Sequence, residues 1–344
     1  MDSVYSSEMP AARASDPHPL DEVMAAYRRN PAVAQKQQIG LVTRVLGGTD
    51  WLSGPGDDAA ATPVDGRFLL SAGEAMWPPF VEQDPHGAGI GAVVANVNDI
   101  AAMGGRCLGI VDTIVGPEAL AREVLGGLRF AAELYGVPIL GGHLTIRDGP
   151  AALSAFATGL ADVVLASRNA APGHVLLYAG CLDGEVRTDF PFLPTFQSRG
   201  PRLAGDLALF PALAESGDCV AAKDISMAGI LGSLAMLLEP SGCGATVDLD
   251  AMPHPAGVRL STWVDVFPSY GFLLCAPPDR NDAVIDRFLE RGLTCARIGS
   301  LDDTAVIRLR AGDDERVLTP VRGITGITPA RDLEGGGRSP SAGA

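Results

Sequence analysis

The stretch GAGIGAVVANVNDIAAMGG, residues 87–105, decides how the rest of the chain is read. Its small and apolar residues predict a buried helix that carries polar side chains, of which Asn96 and Asp99 stand three apart. Residues three apart share a helical face, so the amide and the carboxylate are expected to point the same way. An unpaired carboxylate inside a protein costs several kcal/mol. Asp99 therefore requires a cation or a hydrogen-bond donor opposite it.

Before this helix, residues 20–46 read as a helical lead-in, interrupted at Pro31 and closed by Gly47-Gly48. Residues 53–63 form a turn running into a strand, and 67–72 continue as a strand. After the helix come a β-branched buried strand over 107–115 and an amphipathic helix over 117–135 with Gly136 as its left-handed stop. A short strand over 137–140 runs into Gly141-Gly142-His143, and another covers 151–161. The polar stretch SRNAAPGH, 167–174, is the expected domain boundary. Strands are expected beyond it at 175–179, 245–249, 271–276, 294–298 and 305–309, with helices at 204–214, 225–238 and 281–291. The chain thus divides into a disordered tail (1–18), a first domain (19–166), a second domain (167–318) and a poorly packed, Gly/Pro/Ser-rich tail (319–344).

With 344 residues, the chain exceeds one ordinary hydrophobic core and suits two domains. Hydrophobic residues at 47% and charged residues at 19% exclude disorder and fit a well-buried enzyme. Lys plus Arg number 26 against 41 Asp plus Glu, a net charge of −15, which argues against nucleic acid or an anionic membrane as partner. With basic residues scarce, a phosphate site has to recruit metal or backbone donors. Cys107, Cys181, Cys219, Cys243, Cys275 and Cys295 are scattered without CxxC spacing and read as reduced, buried thiols. The first residues carry Asp2, Glu8 and Asp16 and no apolar core, unlike a secretion signal. The longest apolar run, 225–238, is shorter than the ~18–20 residues that span a bilayer, so a cytoplasmic location is expected.

Several short motifs carry acids or phosphate-compatible backbone. In GDDAA, 56–60, the adjacent carboxylates of Asp57 and Asp58 repel each other unless a cation lies between them. Hard oxygen ligands of this kind suit Mg²⁺, which is held by few carboxylates together with substrate phosphates; the same residues also make a good solvated turn. Glu74 follows the strand 67–72, with small neighbours at Gly73 and Ala75, and gains interest from the company of Asp57, Asp58 and Asp99. Gly141-Gly142 permits close approach of backbone N–H groups to a phosphate, and His143 can donate to it or act as acid or base, although a plain tight turn explains these residues equally. Asp224, in KDIS at 223–226, is either the N-cap of the following helix or a further metal ligand. GAGIG at 87–91 lacks GxGxxG spacing and a preceding strand, and P-loop, GxSxG and HExxH motifs are absent. The acids together predict Mg²⁺ gripping the phosphates of a bound nucleotide.

In their order, GDDAA (56–60), NVNDIAAMGG (96–105), GGH (141–143), TG (158–159), KDIS (223–226) and SGCGA (241–245) resemble the PurM-like superfamily of ATP-dependent enzymes. That superfamily includes aminoimidazole ribonucleotide synthetase, thiamine-monophosphate kinase, selenophosphate synthetase and a hydrogenase maturation protein. The branch most similar is described only as AIR synthase-related. The resemblance implies an α+β fold of two domains, the first a dimerising β-sheet or barrel and the second α/β. ATP would lie in a cleft near the dimer interface, bridged by Mg²⁺ to Asp57, Asp58, Glu74, Asp99 and Asp224. Asn96, Gly141, Gly142, His143 and Lys223 would attend the nucleotide, and Asp99, His143 and Asp224 would serve catalysis.

The sequence also departs from the family pattern. Glu74 stands where relatives have Asp, and His143 where the kinase and hydrogenase branches have Asp, although selenophosphate synthetases also carry Gly-Gly-His. Gly173-His174 replaces Gly-Asp, Met227 falls in a segment that lacks the acid of the kinase's SDG, and 268–274 lacks the acids of GEDYELL. These departures argue against thiamine-phosphate kinase activity. Selenophosphate synthesis is also disfavoured, since no Cys precedes Cys107 and Lys36 is the only early lysine. The expectation is a homodimeric, Mg²⁺-dependent kinase or synthetase that phosphorylates or activates a small oxygen-containing metabolite. The competing expectation is a nucleotide-binding scaffold or regulatory subunit with reduced catalysis.

Overall fold

Two open sheets, each backed by helices, organise the molecule. The structure is a computed structural model and describes residues 18–46 and 57–327. Gly47, Gly48 and Gly56 of the sequence reading lie outside those residues, as do 1–17 and 328–344. The first part runs α1 (Pro19–Arg29), α2 (Pro31–Lys36), α3 (Gly40–Leu46), β1 (Ala60–Val64), β2 (Arg67–Ala75) and α4 (Pro78–Gln83). It continues with α5 (Pro85–Ala102), β3 (Arg106–Gly116), α6 (Glu118–Tyr135), β4 (Ile139–Ile146) and β5 (Ala152–Ala161). The second part holds β6 (Val175–Gly180), β7 (Phe192–Leu193), α7 (Phe196–Arg199), α8 (Leu203–Leu207), α9 (Leu209–Ser216), β8 (Ala221–Asp224) and α10 (Gly229–Leu238). Then follow β9 (Gly244–Asp248), α11 (Leu260–Trp263), β10 (Phe267–Pro268), β11 (Gly271–Ala276), α12 (Asn281–Glu290), β12 (Thr294–Asp302), β13 (Val306–Ala311) and β14 (Asp314–Pro320).

The first sheet has the order β1-β2-β5-β3-β4 and does not close into a barrel. Its hairpin is set by Asp65-Gly66, both at positive φ (47° and 78°), the dipeptide that a tight two-residue turn between right-twisted strands demands. Alternation along β5 buries Leu153, Ala155, Ala157 and Ala161 on the face covered by α5. Helix α5 is capped by Asp84, whose carboxylate accepts from the Gly87 amide at 2.9 Å. Its apolar residues extend around most of its surface because it is buried on several sides at once. Glycines let α6 close on it: a Cβ on Gly89 would strike the Val124 carbonyl, and one on Gly127 the His86 carbonyl.

The second sheet has the order β14-β13-β9-β12-β6-β11-β8. Its central strands VLLYAG and GFLLCA are buried on both faces, which is why they read as unbroken apolar runs. Val175, Leu177 and Phe272 join Phe210 of α9 and Phe288 of α12 in a core continuous with that under the first sheet. Leu176, Tyr178 and Leu273 face the opposite core with α10.

Two boundaries differ from expectation. Leu20, Val23, Met24 and Tyr27 of α1 belong to this second core, so the first helix in sequence packs with the second half and not within a unit of 19–166. The packed chain also continues past 318: Val321, Ile324 and Ile327 are buried, and Thr325 donates its N–H and hydroxyl to Glu239 at 2.9 and 2.6 Å. Apolar residues placed among glycines in 319–327 find a groove in the second core, which composition alone does not reveal. All six thiols are free. Among the described residues no helix is long and apolar enough to cross a membrane.

The glycine contacts between α5 and α6 generate a prediction. Gly127→Ala and Gly89→Ala should each lower the unfolding free energy by about 1–3 kcal/mol, as overpacking against backbone does. Gly126→Ala, whose Cβ would meet only the His86 ring at 3.4 Å, should be tolerated. Denaturant unfolding of the three variants measures the difference.

Candidate functional site

The acids expected to act together come from three elements that meet where α5 passes the end of β8. Asp99 lies in the last turn of α5, Asp58 two residues before β1, and Asp224 is the last residue of β8. Carboxylate oxygens from Asp58, Asp99 and Asp224 lie within 4.8 Å of one another. The Lys223 ammonium is ion-paired to Asp58 and stands 3.6 Å from Asp224. The Asp224 amide donates to the other Asp58 oxygen at 3.0 Å, so Asp58 is held from two directions by β8.

Asp57 turns away from this group. It accepts from the Ser167 amide at 3.1 Å and the Ser167 hydroxyl at 2.6 Å, which ties the turn to the linker between the sheets. Expected as a metal ligand, Asp57 is not among the three converging carboxylates. Glu74 ends β2 on the face turned toward α5, paired with Ala155. It does not join the three converging carboxylates but stands near enough to act on Asp99 electrostatically.

Charge in the cleft is unbalanced. Burial, then the carboxylates of Asp224, Asp58 and Glu74, push Asp99 well above the usual carboxyl range. Asp224 rises to about 7, through burial first and Asp58 second, and Asp57 likewise reaches about 7 through burial and Asp58. Glu74 is raised by burial against the opposing pull of Lys36 and Lys223. Three crowded carboxylates with Lys223 already committed form an oxygen-only donor set that suits a hard divalent cation.

Other expected residues lie elsewhere. Asn96 is fully buried, its amide nitrogen donating to the carbonyls of Ala92 at 2.9 Å and Ala155 at 3.2 Å; these bonds anchor α5 to β5, and its Oδ1 has no partner among the described residues. Gly141, Gly142 and His143 lie inside the edge strand β4 and not in a turn. His143 pairs with Thr113, itself opposite Ser154, and so projects from the sheet face opposite α5, where its Nε2 lies 3.1 Å from the Thr145 hydroxyl. Gly142 is required for another reason: a Cβ there would crowd the Asp112 carboxylate at 2.8–2.9 Å. Asp224 does not cap α10, which begins five residues later at Gly229 after the uncapped Ala228.

Sequence reasoning gave no role to Ser167 or Lys36. Lys36, at the end of α2, is half-buried and lies within the electrostatic reach of Lys223, Glu74, Asp224 and Asp58. Burial, then Lys223, hold it below the ordinary lysine range. The only signal in the sequence is that lysine is rare in this chain. A separate cavity of about 800 Å³ lies between α1 and segments 186–191 and 259–266; it is lined by Arg29, Arg187 and Arg259 among others and includes none of the converging acids.

Residues 56–161 match the family described as AIR synthase related protein, N-terminal domain, and residues 202–312 match its C-terminal domain. An uncharacterized protein of Synechocystis sp. is 34% identical over 321 residues, covering 89% of this chain and 99% of its own length. Among solved structures, T. maritima PurL complexed with ATP superposes with a TM-score of 0.67 at 20% identity, over 78% of this chain and 46% of that one. AaThiL complexed with AMPPCP and TMP gives 0.62 at 17%, over 81% of this chain and 94% of that one. The fold is therefore the PurM-like one expected from the ordered motifs, and the chain belongs to the AIR synthase related protein family.

Proposed function

We propose that the chain is an Mg²⁺-dependent, ATP-using enzyme that passes phosphate to a small oxygen-containing metabolite, or activates it by doing so, and that it works as a homodimer. The observation that carries this reading is the convergence of Asp58, Asp99 and Asp224 within 4.8 Å. Those three side chains would hold the ion, and their oxygen-only chemistry fits it, as do the raised carboxyls of Asp99 and Asp224. When bound, the ion neutralises polyphosphate charge. Lys223 holds Asp58 by an ion pair, while Asp57, through Ser167, fixes the turn that presents Asp58. Phosphoryl transfer asks little covalent chemistry of a protein, so positioning of this kind supplies most of the catalysis. Solved relatives with ATP or AMPPCP bound support a nucleotide as the ligand.

The homodimer reading rests on the first sheet. The face opposite α5 exposes Val64, Leu108, Val111 and Phe156 at 41–46%, an apolar surface that a second copy would cover. Phe156→Asp, at its centre, should convert a dimer to a monomer in light scattering; an unchanged mass would count against this face.

Asp99→Asn should weaken Mg·ATP binding by about 100-fold or more in calorimetry, since one charged ligand is lost, while leaving the melting temperature equal or higher. Unchanged affinity would overturn the metal site. An ATPase assay across candidate metabolites separates enzyme from scaffold, the latter binding without turnover.

The site also predicts a pH dependence. Asp57 and Asp224 keep their protons up to about 7 in the fold, whereas the unfolded chain has lost them by about pH 5. The folded state therefore binds more protons in that window, and stability falls as pH rises through it. Metal-free protein should melt several degrees lower at about pH 8 than at about pH 6, and Mg²⁺ should raise the melting temperature more at the higher pH. A Mg²⁺ effect equal at both values would contradict the cluster as its binding site.

A further inference from the structure

The cavity of about 800 Å³ beside α1 is built from one face of that helix, the loop 186–191 and the segment 259–266. Along α1 the residues that line it are Glu22, Ala25, Ala26 and Arg29, the three- and four-residue spacing of one helical face. The two alanines reach no farther than a Cβ and leave the space open. The loop and the later segment supply an apolar wall of Val186, Phe190, Pro191 and Val266. Phe190 is fixed in that wall by its neighbours. Its ring stacks on Phe80 of α4, with centroids 5.8 Å apart and planes at 21°, and meets Phe267 of β10 edge-on at 5.3 Å and 89°.

Four acids and three arginines line the cavity, and pairing leaves one charge over. Glu22 is ion-paired to Arg259 and Asp21 to Arg316. Asp189 takes both arms of Arg187, at 3.0 and 2.7 Å. Asp265 accepts from Asn30 at 3.2 Å, and burial raises its carboxyl against the pull of Asn30 and Arg29. The Arg29 guanidinium makes no hydrogen bond or ion pair with any of the described residues. The hydroxyls of Thr188, Ser261 and Thr262 on the other two walls likewise have no partner among them.

We propose that this cavity is a second ligand site, which takes a small organic anion with an apolar, ring-bearing body. The planar fork of Arg29 matches the two oxygens of a carboxylate or a phosphate monoester, and the free hydroxyls offer further donors to the same group. A ring lies against the Phe190 wall, whose own neighbours hold it flat and in place before any ligand arrives. The volume falls in the range of small-molecule sites. None of the converging carboxylates lines this cavity, so the inference stands apart from the nucleotide reading and does not depend on it.

Ligand-observed NMR titration of the full chain, without Mg²⁺ or nucleotide, tests this with phenyl phosphate and 3-phenylpropionate. At least one of the two should bind, and the tighter one assigns the headgroup. Benzylamine, with a ring of opposite charge, and inorganic phosphate, an anion without a ring, should each bind about 10-fold more weakly or not at all. Arg29→Gln, at an exposed position near the end of α1, should weaken the anion by about 10-fold, the worth of one charge-assisted hydrogen bond. Arg29→Lys should recover part of that loss. Ala25→Leu, which fills the space beside the apolar wall, should abolish binding in a protein whose melting temperature shows it folded. Failure of both anions to bind, equal binding of benzylamine or inorganic phosphate, or an affinity indifferent to Arg29→Gln would overturn the proposal.

Discussion

Like charges cannot share a few ångströms of half-buried space without a counter-ion, and the cleft between the two sheets is built on that constraint. Asp58, Asp99 and Asp224 are forced together by backbone that cannot yield. Asp99 rides on a helix wedged between a sheet and α6 at glycine-permitted distance, and Asp224 terminates a hydrogen-bonded strand. Asp58 follows a residue tied to the interdomain linker. Relaxation by moving apart is denied, so the strain is relieved by protonation, by Lys223 or by an added cation. Sites that store unfavourable electrostatics in this manner are the ones a ligand can rescue, which links the cost of the apo cleft to its use.

Most of the elements were legible in the sequence because their signals are local: the glycine after α6, the alternation in β5, the doubly apolar strands of the second sheet. The three converging acids were legible too, as polar residues set in small or apolar surroundings. What failed was direction. Three helical steps leave about 60° between side chains, enough for Asn96 to face β5 while Asp99 faces the cleft. Of the adjacent Asp57 and Asp58, one reaches Ser167 and the other the cluster, a split that the turn before β1 decides and residue type does not reveal. Strand alternation sends His143 to the far face of the sheet. Lys36 carries no local signal, because α2 and α3 are held by residues as distant as Asp265 and Thr325, and long-range contact leaves no periodic trace.

The likeness to PurL and AaThiL, at 20% and 17% identity, is one of architecture, and the residues around the cleft depart from the family pattern at its rim. Glu74 carries its carboxylate one methylene farther than an aspartate would. Met227, exposed beside Asp224, puts a pliable thioether where an acid stands in the kinase pattern. Both changes alter the rim and leave the three inner carboxylates in place, a division between a fixed floor and an adjustable edge.

Because the Gly40 amide bonds the Thr325 carbonyl and α1 docks on the later sheet, the helices at 19–46 are held by residues far along the described chain. The segment 321–327 therefore ties those helices to the second core, so that loosening it would free both.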